Sequence, residues 1–203
     1  FPAMAEKVRI THLGTQDHGA GPWEPSNTLR VVSCAYLRHP KRIDKLARAL
    51  ATIQRPVHWV HFGDGPDLPA LRALVEVLPP HITVELPGSV PNAAVLDHFR
   101  DRPVDVFALI SEDEGVPVSL MEAASFGIPL LANDVGGVRA VVTDASGVLL
   151  PANADEGQIA AGVLDSASRS ADPSFRAAVR GSWQERFFAP ANYRRIAELL
   201  MQQ

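Results

Sequence analysis

Two carboxylates with seven residues between them, Glu114 and Glu122 in SEDEGVPVSLMEAASFG, are the residues of this chain best placed to do chemistry. Glu114 is followed by Gly115 and then by Pro117, while Glu122 lies in an apolar, alanine-rich run. Proline suits the first position of a helix, where its missing N–H costs nothing. Glu114 is therefore expected in the loop before a helix, and Glu122 about a turn and a half inside it. Helical side chains lean toward the N-terminus, so Glu122 can reach back toward whatever Glu114 faces. Between them lie the amides of a helix start, which together with the macrodipole favour bound phosphate. An anion site flanked by two hydroxyl-binding carboxylates suits a ligand carrying both phosphates and diols, as a nucleotide sugar does. By themselves the two glutamates are equally well read as solvated helix-start carboxylates, so the elements around them must decide.

From Leu29 onward, short apolar β-rich runs alternate with helical patterns. LRVVSCAYL, VHWVHFG, HITVEL, VDVFALI, IPLLAND and GVLL read as strands. KRIDKLARALATI, DLPALRALVEVL, PNAAVLDHFRD and the segment of Glu122 read as helices, with Ile43, Leu46, Leu50 and Ile53 on one face of the first. After GVLL the chain turns helical in DEGQIAAGVLDSASRS, DPSFRAAVRGSWQERF and APANYRRIAELLMQQ. This alternation predicts an α/β fold: a doubly wound, Rossmann-like parallel sheet with right-handed crossovers and C-terminal helices. Such sheets bind ligands at the carboxyl ends of their strands. The loops of interest are thus 36–41, 63–66, 87–91, 111–117 and 133–137. Residues 1–28, rich in Gly and Pro, read as a linker with one short strand at KVRITHLG, and residues 29–203 as the domain.

The totals exclude several classes. A chain of 203 residues with net charge −4 gives no reason to expect nucleic-acid binding. One cysteine, Cys34, rules out a disulfide framework or a multi-cysteine metal site within the chain, and its apolar setting predicts a buried, inert thiol. The seven histidines show no metal-ligand spacing; His58 and His61 fall on opposite faces of a strand. No segment is apolar for long enough to span a bilayer, and no signal peptide is visible. The opening on Phe1 rather than Met is read as a fragment of a longer polypeptide.

Laid out this way, the chain resembles the C-terminal, nucleotide-sugar-binding half of retaining GT-B glycosyltransferases, the large family marked by two glutamates separated by seven residues. The resemblance runs through VVSCAYLRHPKRIDKLARAL, HFGDGP, VELPGSVPN, DVFALISEDEGVPVSLMEAASFGIPLLANDVGG and GVLLPAN. It implies transfer of a sugar from a nucleoside diphosphate donor to a hydroxyl acceptor with retained configuration. Lys41 matches the lysine on the donor's diphosphate, Glu114 the glutamate at the sugar hydroxyls, and Glu122 the one at the ribose diol. Gly115, Val116, Val118 and Ser119 lie where backbone amides meet sugar or phosphate, and Val90 matches a position whose backbone meets the base. Gly136 and Gly137 would let the chain pass close to the pocket. No cofactor or metal is expected. The resemblance also implies a missing N-terminal acceptor-binding domain and room for peripheral membrane association of the full-length protein; the lack of a visible export signal, and the place where activated sugars are made, lead to the expectation of a cytoplasmic enzyme.

Two positions depart from the family pattern. Ala35–Tyr36 stand where a glycine and a diphosphate-binding arginine are common, with Arg38 or Arg42 as candidate substitutes. Ala140 stands where an acidic residue often follows the double glycine. Two other readings stay open: a noncatalytic Rossmann-like interaction module, and an NAD-dependent oxidoreductase domain. The missing glycine fingerprint after the first strand counts against the latter. GDGP at 63–66 lacks that fingerprint's spacing and reads as a plain turn.

Overall fold

The computed structural model describes residues 11–201. Six parallel strands make one sheet: β1 (Leu29–Cys34), β2 (Val57–Phe62), β3 (Ile82–Gly88), β4 (Val106–Leu109), β5 (Leu130–Asn133) and β6 (Gly147–Leu150). Their spatial order is β3-β2-β1-β4-β5-β6. This is the doubly wound arrangement, and its direction reverses between β1 and β4, where such sheets open a ligand crevice. The helices are α1 (Ile43–Ala51), α2 (Leu68–Glu76), α3 (Asn92–Asp101), α4 (Val118–Ser125), α5 (Glu156–Ser170), α6 (Pro173–Phe187) and α7 (Ala189–Met201). Short 3-10 turns occupy His39–Lys41 and Val138–Ala140.

Strand alternation splits the apolar residues between two layers. Val31, Trp59 and Ala108 point into the layer filled by Leu46 and Leu50 of α1 and Ile159 and Val163 of α5. Their neighbours Val32, Val60 and Phe107 point to the opposite layer, built on Phe99, Phe126, Trp183 and Phe187. Burial on both faces explains why these strands read as continuous apolar runs rather than as alternating ones. α5 begins with a capping box: the Asp155 side chain accepts from the Gln158 amide and the Gln158 side chain from the Asp155 amide.

Several expected boundaries shift. β1 stops at Cys34, because Leu37 leaves the strand register to donate to the Asp64 carbonyl. β3 continues through Pro87 to Gly88, which a strand on the sheet edge tolerates. Pro117 is the residue before α4 rather than its first helical residue, with extended backbone (φ −71°, ψ 120°). Of the short strand expected at KVRITHLG, residues 7–10 lie outside the described residues and 11–14 form no strand; Thr15 makes an isolated parallel bridge to Phe188. Residues 11–28 lie along the domain. Trp183 Nε1 donates to Thr15 Oγ1 at 2.8 Å, Arg180 grips Asp17, the Gly21 amide donates to the Phe126 carbonyl, and Trp23 Nε1 donates to Asp105.

Candidate functional site

At the carboxyl ends of β1, β2 and β3 the loops meet around a cleft of about 660 Å³, lined by Cys34, Tyr36, the Gly63–Asp64–Gly65 turn, Val90 and Val95 among others. Gly63 and Gly65 hold φ of 147° and 157°, and a side chain at either would run into the carbonyls of Ala35 or Leu37. Glycine there lets the loops after β1 and β2 touch. The two glycine amides are already used, Gly63 donating to the Gly88 carbonyl at 2.9 Å and Gly65 to Asp64 Oδ1 at 2.7 Å. GDGP is thus a turn that walls the cleft, and no phosphate cradle. Val90 lines the cleft.

Lys41 and Glu114 are brought together. Lys41 Nζ donates to Glu114 Oε1 at 2.7 Å, with only 15% and 12% of the two side chains exposed. Two local features set this contact. Arg42 adopts a left-handed conformation (φ 47°, ψ 38°) that ends the 3-10 turn and starts α1, and the Glu112 amide donates to the Pro40 carbonyl at 2.7 Å, tying the Lys41 turn to the Glu114 loop. On the other side, Gly136 (φ 50°) and Gly137 press against the 114–116 loop. A side chain at Gly136 would strike the Glu114 carbonyl, and the Gly137 amide donates to the Gly115 carbonyl at 2.8 Å. The double glycine therefore supports the Glu114 loop, a closer role than passing near the pocket.

Glu122 sits inside α4, as its spacing required. Burial raises its carboxyl pKa above the ordinary value, while the Asn92 side chain, which donates to Oε1 at 3.0 Å, and the nearby His18 pull it back. His18 belongs to the incoming segment and stacks on Phe126, ring centroids 5.9 Å apart and planes 6° from parallel. No side chain caps α4, so its first-turn amides, those of Val118 and Ser119 among them, are open to an anion. Gly115 borders open space, and Val116 and Val118 are exposed.

Other expectations need correction or relocation. Cys34 is half-buried and lines the cleft, but burial and the Glu122 charge push its thiol up to about 11, which keeps it unreactive. Tyr36 projects at the cleft with 60% of its surface exposed. Neither proposed substitute for the absent arginine joins it there. Arg42 is bound to Glu112 and Asp44, and Arg38 lines a separate hollow between α1 and α2. Ala140 rests against the apolar layer. Among the described residues no group of three or more His, Cys, Asp or Glu could hold a metal ion. Asn92 and His18 were not foreseen. Asn92 is a lone polar residue at a helix start, and His18 lies in a stretch whose pattern specifies no element.

Residues 22–173 match the family model described as glycosyl transferases group 1. The chain belongs to this family. WcaL of Escherichia coli (strain K12), named as a colanic acid biosynthesis glycosyltransferase, is 30% identical over 161 residues, covering 73% of this chain and 39% of WcaL. The Escherichia coli O-antigen biosynthesis glycosyltransferase WbnH is 30% identical over 127 residues, 63% of this chain and 35% of WbnH. The fold is shared with the lipopolysaccharide outer core galactosyltransferase WaaB (TM-score 0.83, 20% identity, 98% of this chain and 56% of WaaB). It is shared also with Anabaena HepE solved in complex with UDP (TM-score 0.74, 20% identity, 87% of this chain and 50% of HepE). The group 1 glycosyltransferase chain thus spans about a third to just over half the length of these relatives, and its sheet is the Rossmann-like sheet of GT-B glycosyltransferases.

Proposed function

We propose that this chain is the donor-binding half of a glycosyltransferase that moves a sugar from a nucleoside diphosphate sugar to a hydroxyl acceptor with retained anomeric configuration. The observation that carries the reading is the Lys41–Glu114 pair in the loop before the uncapped start of α4, with Glu122 one turn inside that helix and close enough to Cys34 of the cleft to act on its thiol. Support comes from HepE, a relative in fold, solved with UDP and with UDP-glucose.

In this reading the base rests by Val90, the ribose diol on Glu122, and the diphosphate on the α4 amides and Lys41. The anomeric carbon–oxygen bond breaks with its electron pair leaving on the diphosphate, whose charge Lys41 and the amides stabilise. Glu114 orients the sugar, and the acceptor oxygen bonds the same face while its hydroxyl proton passes to the departing diphosphate oxygen. The charge stabilisation is assigned to protein groups and asks for no metal. The acceptor site lies on the remaining length of a GT-B enzyme, so this chain alone binds donor weakly and turns nothing over. The complete enzyme works in the cytoplasm, where activated sugars are made. No helix among the described residues is long and apolar enough to cross a membrane.

A second reading, a noncatalytic interaction module, draws on Tyr36 standing where a cation is common. Thermal-shift titration with UDP, GDP, ADP and NAD separates the two, because a ligand that binds only the folded state raises its melting temperature. Stabilisation by one nucleoside diphosphate and not by NAD supports the donor reading; no response to any of the four contradicts it. An NMR spectrum of the full-length enzyme's product showing inverted configuration would refute retention.

A further inference from the structure

Glu122 is held at one oxygen and open at the other. Oε1 accepts from Asn92 Nδ2 at 3.0 Å, and Oε2 has no protein hydrogen-bond partner among the described residues. Asn92 is the first residue of α3, and its side chain takes no part in capping that helix. The contact crosses from the loop after β3 to the helix after β4, two residues from Val90 of the cleft. Three elements face the carboxylate. Asn92 comes from α3, Cys34 from the end of β1 with a thiol that stays protonated to about 11, and His18 from the incoming segment.

We propose that Asn92 is a positioning residue for Glu122: its amide fixes Oε1 so that Oε2 meets the ligand's diol in one orientation. This rests on the reading of Glu122 as the diol-binding group. A neutral amide suits the task better than an ammonium. It orients the carboxylate without cancelling its charge, leaving a full-strength acceptor for two hydroxyls. It also offsets the burial that favours the protonated form. Without it, the carboxyl of Glu122 holds its proton to higher pH, and a protonated group is a weaker acceptor for the diol.

The test uses Asn92→Ala, Asn92→Ser and Glu122→Ala, with carbon-detected NMR of the Glu122 carboxyl across pH and calorimetric titration of UDP and GDP at pH 7.5. In Asn92→Ala the Glu122 titration midpoint moves to higher pH. Affinity for the nucleotide that binds falls about tenfold, the worth of one hydrogen bond to a charged group. Asn92→Ser, whose hydroxyl can still donate, lies between the two and serves if the alanine variant fails to fold. An unmoved midpoint, or unchanged nucleotide affinity, in Asn92→Ala would overturn the proposal. Unchanged nucleotide affinity in Glu122→Ala would instead sink the diol reading, while the midpoint in Asn92→Ala still decides whether Asn92 holds the carboxylate.

Discussion

Lys41 has a partner of its own: its ammonium is bound to Glu114 at 2.7 Å, and both side chains are largely shielded from water. On the proposed reading, a donor diphosphate must take Lys41 from that partner before it can be neutralised. A hydrogen bond between charged groups in such a setting contributes about 1.5–3 kcal/mol. In Glu114→Gln the lysine keeps a weaker, neutral acceptor in the same place, so only part of that energy is released to the ligand. About 1 kcal/mol of competition removed corresponds to roughly fivefold tighter binding of a nucleoside diphosphate that lacks the sugar. Turnover in the full-length enzyme should move the opposite way, falling by about a hundredfold, if Glu114 orients the sugar as proposed. The assay is calorimetric titration of UDP and GDP into wild type, Glu114→Gln and Lys41→Met, with turnover measured in parallel. Nucleotide affinity in Glu114→Gln as weak as in Lys41→Met would refute the idea that the two residues exchange partners when donor binds.

Glu122→Gln should raise the melting temperature at pH 7 relative to wild type and leave it unchanged near pH 3.5. Burial lifts the Glu122 pKa above its ordinary 4.5, so the folded state holds that proton longer than the unfolded chain and the wild type loses stability as pH rises through this range. Gly136→Ala, checked by chemical denaturation and kcat/KM, should cost about 1–3 kcal/mol of stability and lower turnover as well. Its φ of 50° disfavours a side chain, and the new methyl would push on the Glu114 carbonyl. Acid should destabilise the fold between pH 6.5 and about 4. His61 and His98 are held near 4 by burial, so the unfolded chain takes up protons that the folded state refuses, and stability falls as pH drops through that window. His98→Leu should flatten a plot of melting temperature against pH there.

The sheet was legible because its strands are buried on both faces, which writes apolar runs such as VDVFALI and IPLLAND directly into the chain. Glu122 was placed by helical spacing alone, and Lys41 and Glu114 by the blocks around them. Contacts joining distant loops carry no such local signature. That Asn92 holds Glu122 depends on where the loops after β3 and β4 converge, and the Lys41–Glu114 pair depends on the Arg42 backbone turning left-handed. Segment 11–28 read as a linker because its glycines and prolines specify no element. Its attachments run through single side chains such as Thr15, Asp17 and Trp23, which no periodicity announces.

The central claim, that Glu122 grips a ribose diol, is tested most directly by a cycle of two ligands and two proteins. The best-binding nucleoside diphosphate and its 2′,3′-dideoxy analogue are titrated into wild type and Glu122→Ala. The account predicts that removing the hydroxyls costs wild type tenfold or more, at about 1.5–3 kcal/mol for hydrogen bonds to a charged acceptor, and costs the variant almost nothing further. Equal losses in both proteins would show that the hydroxyls meet some other group, and would contradict it.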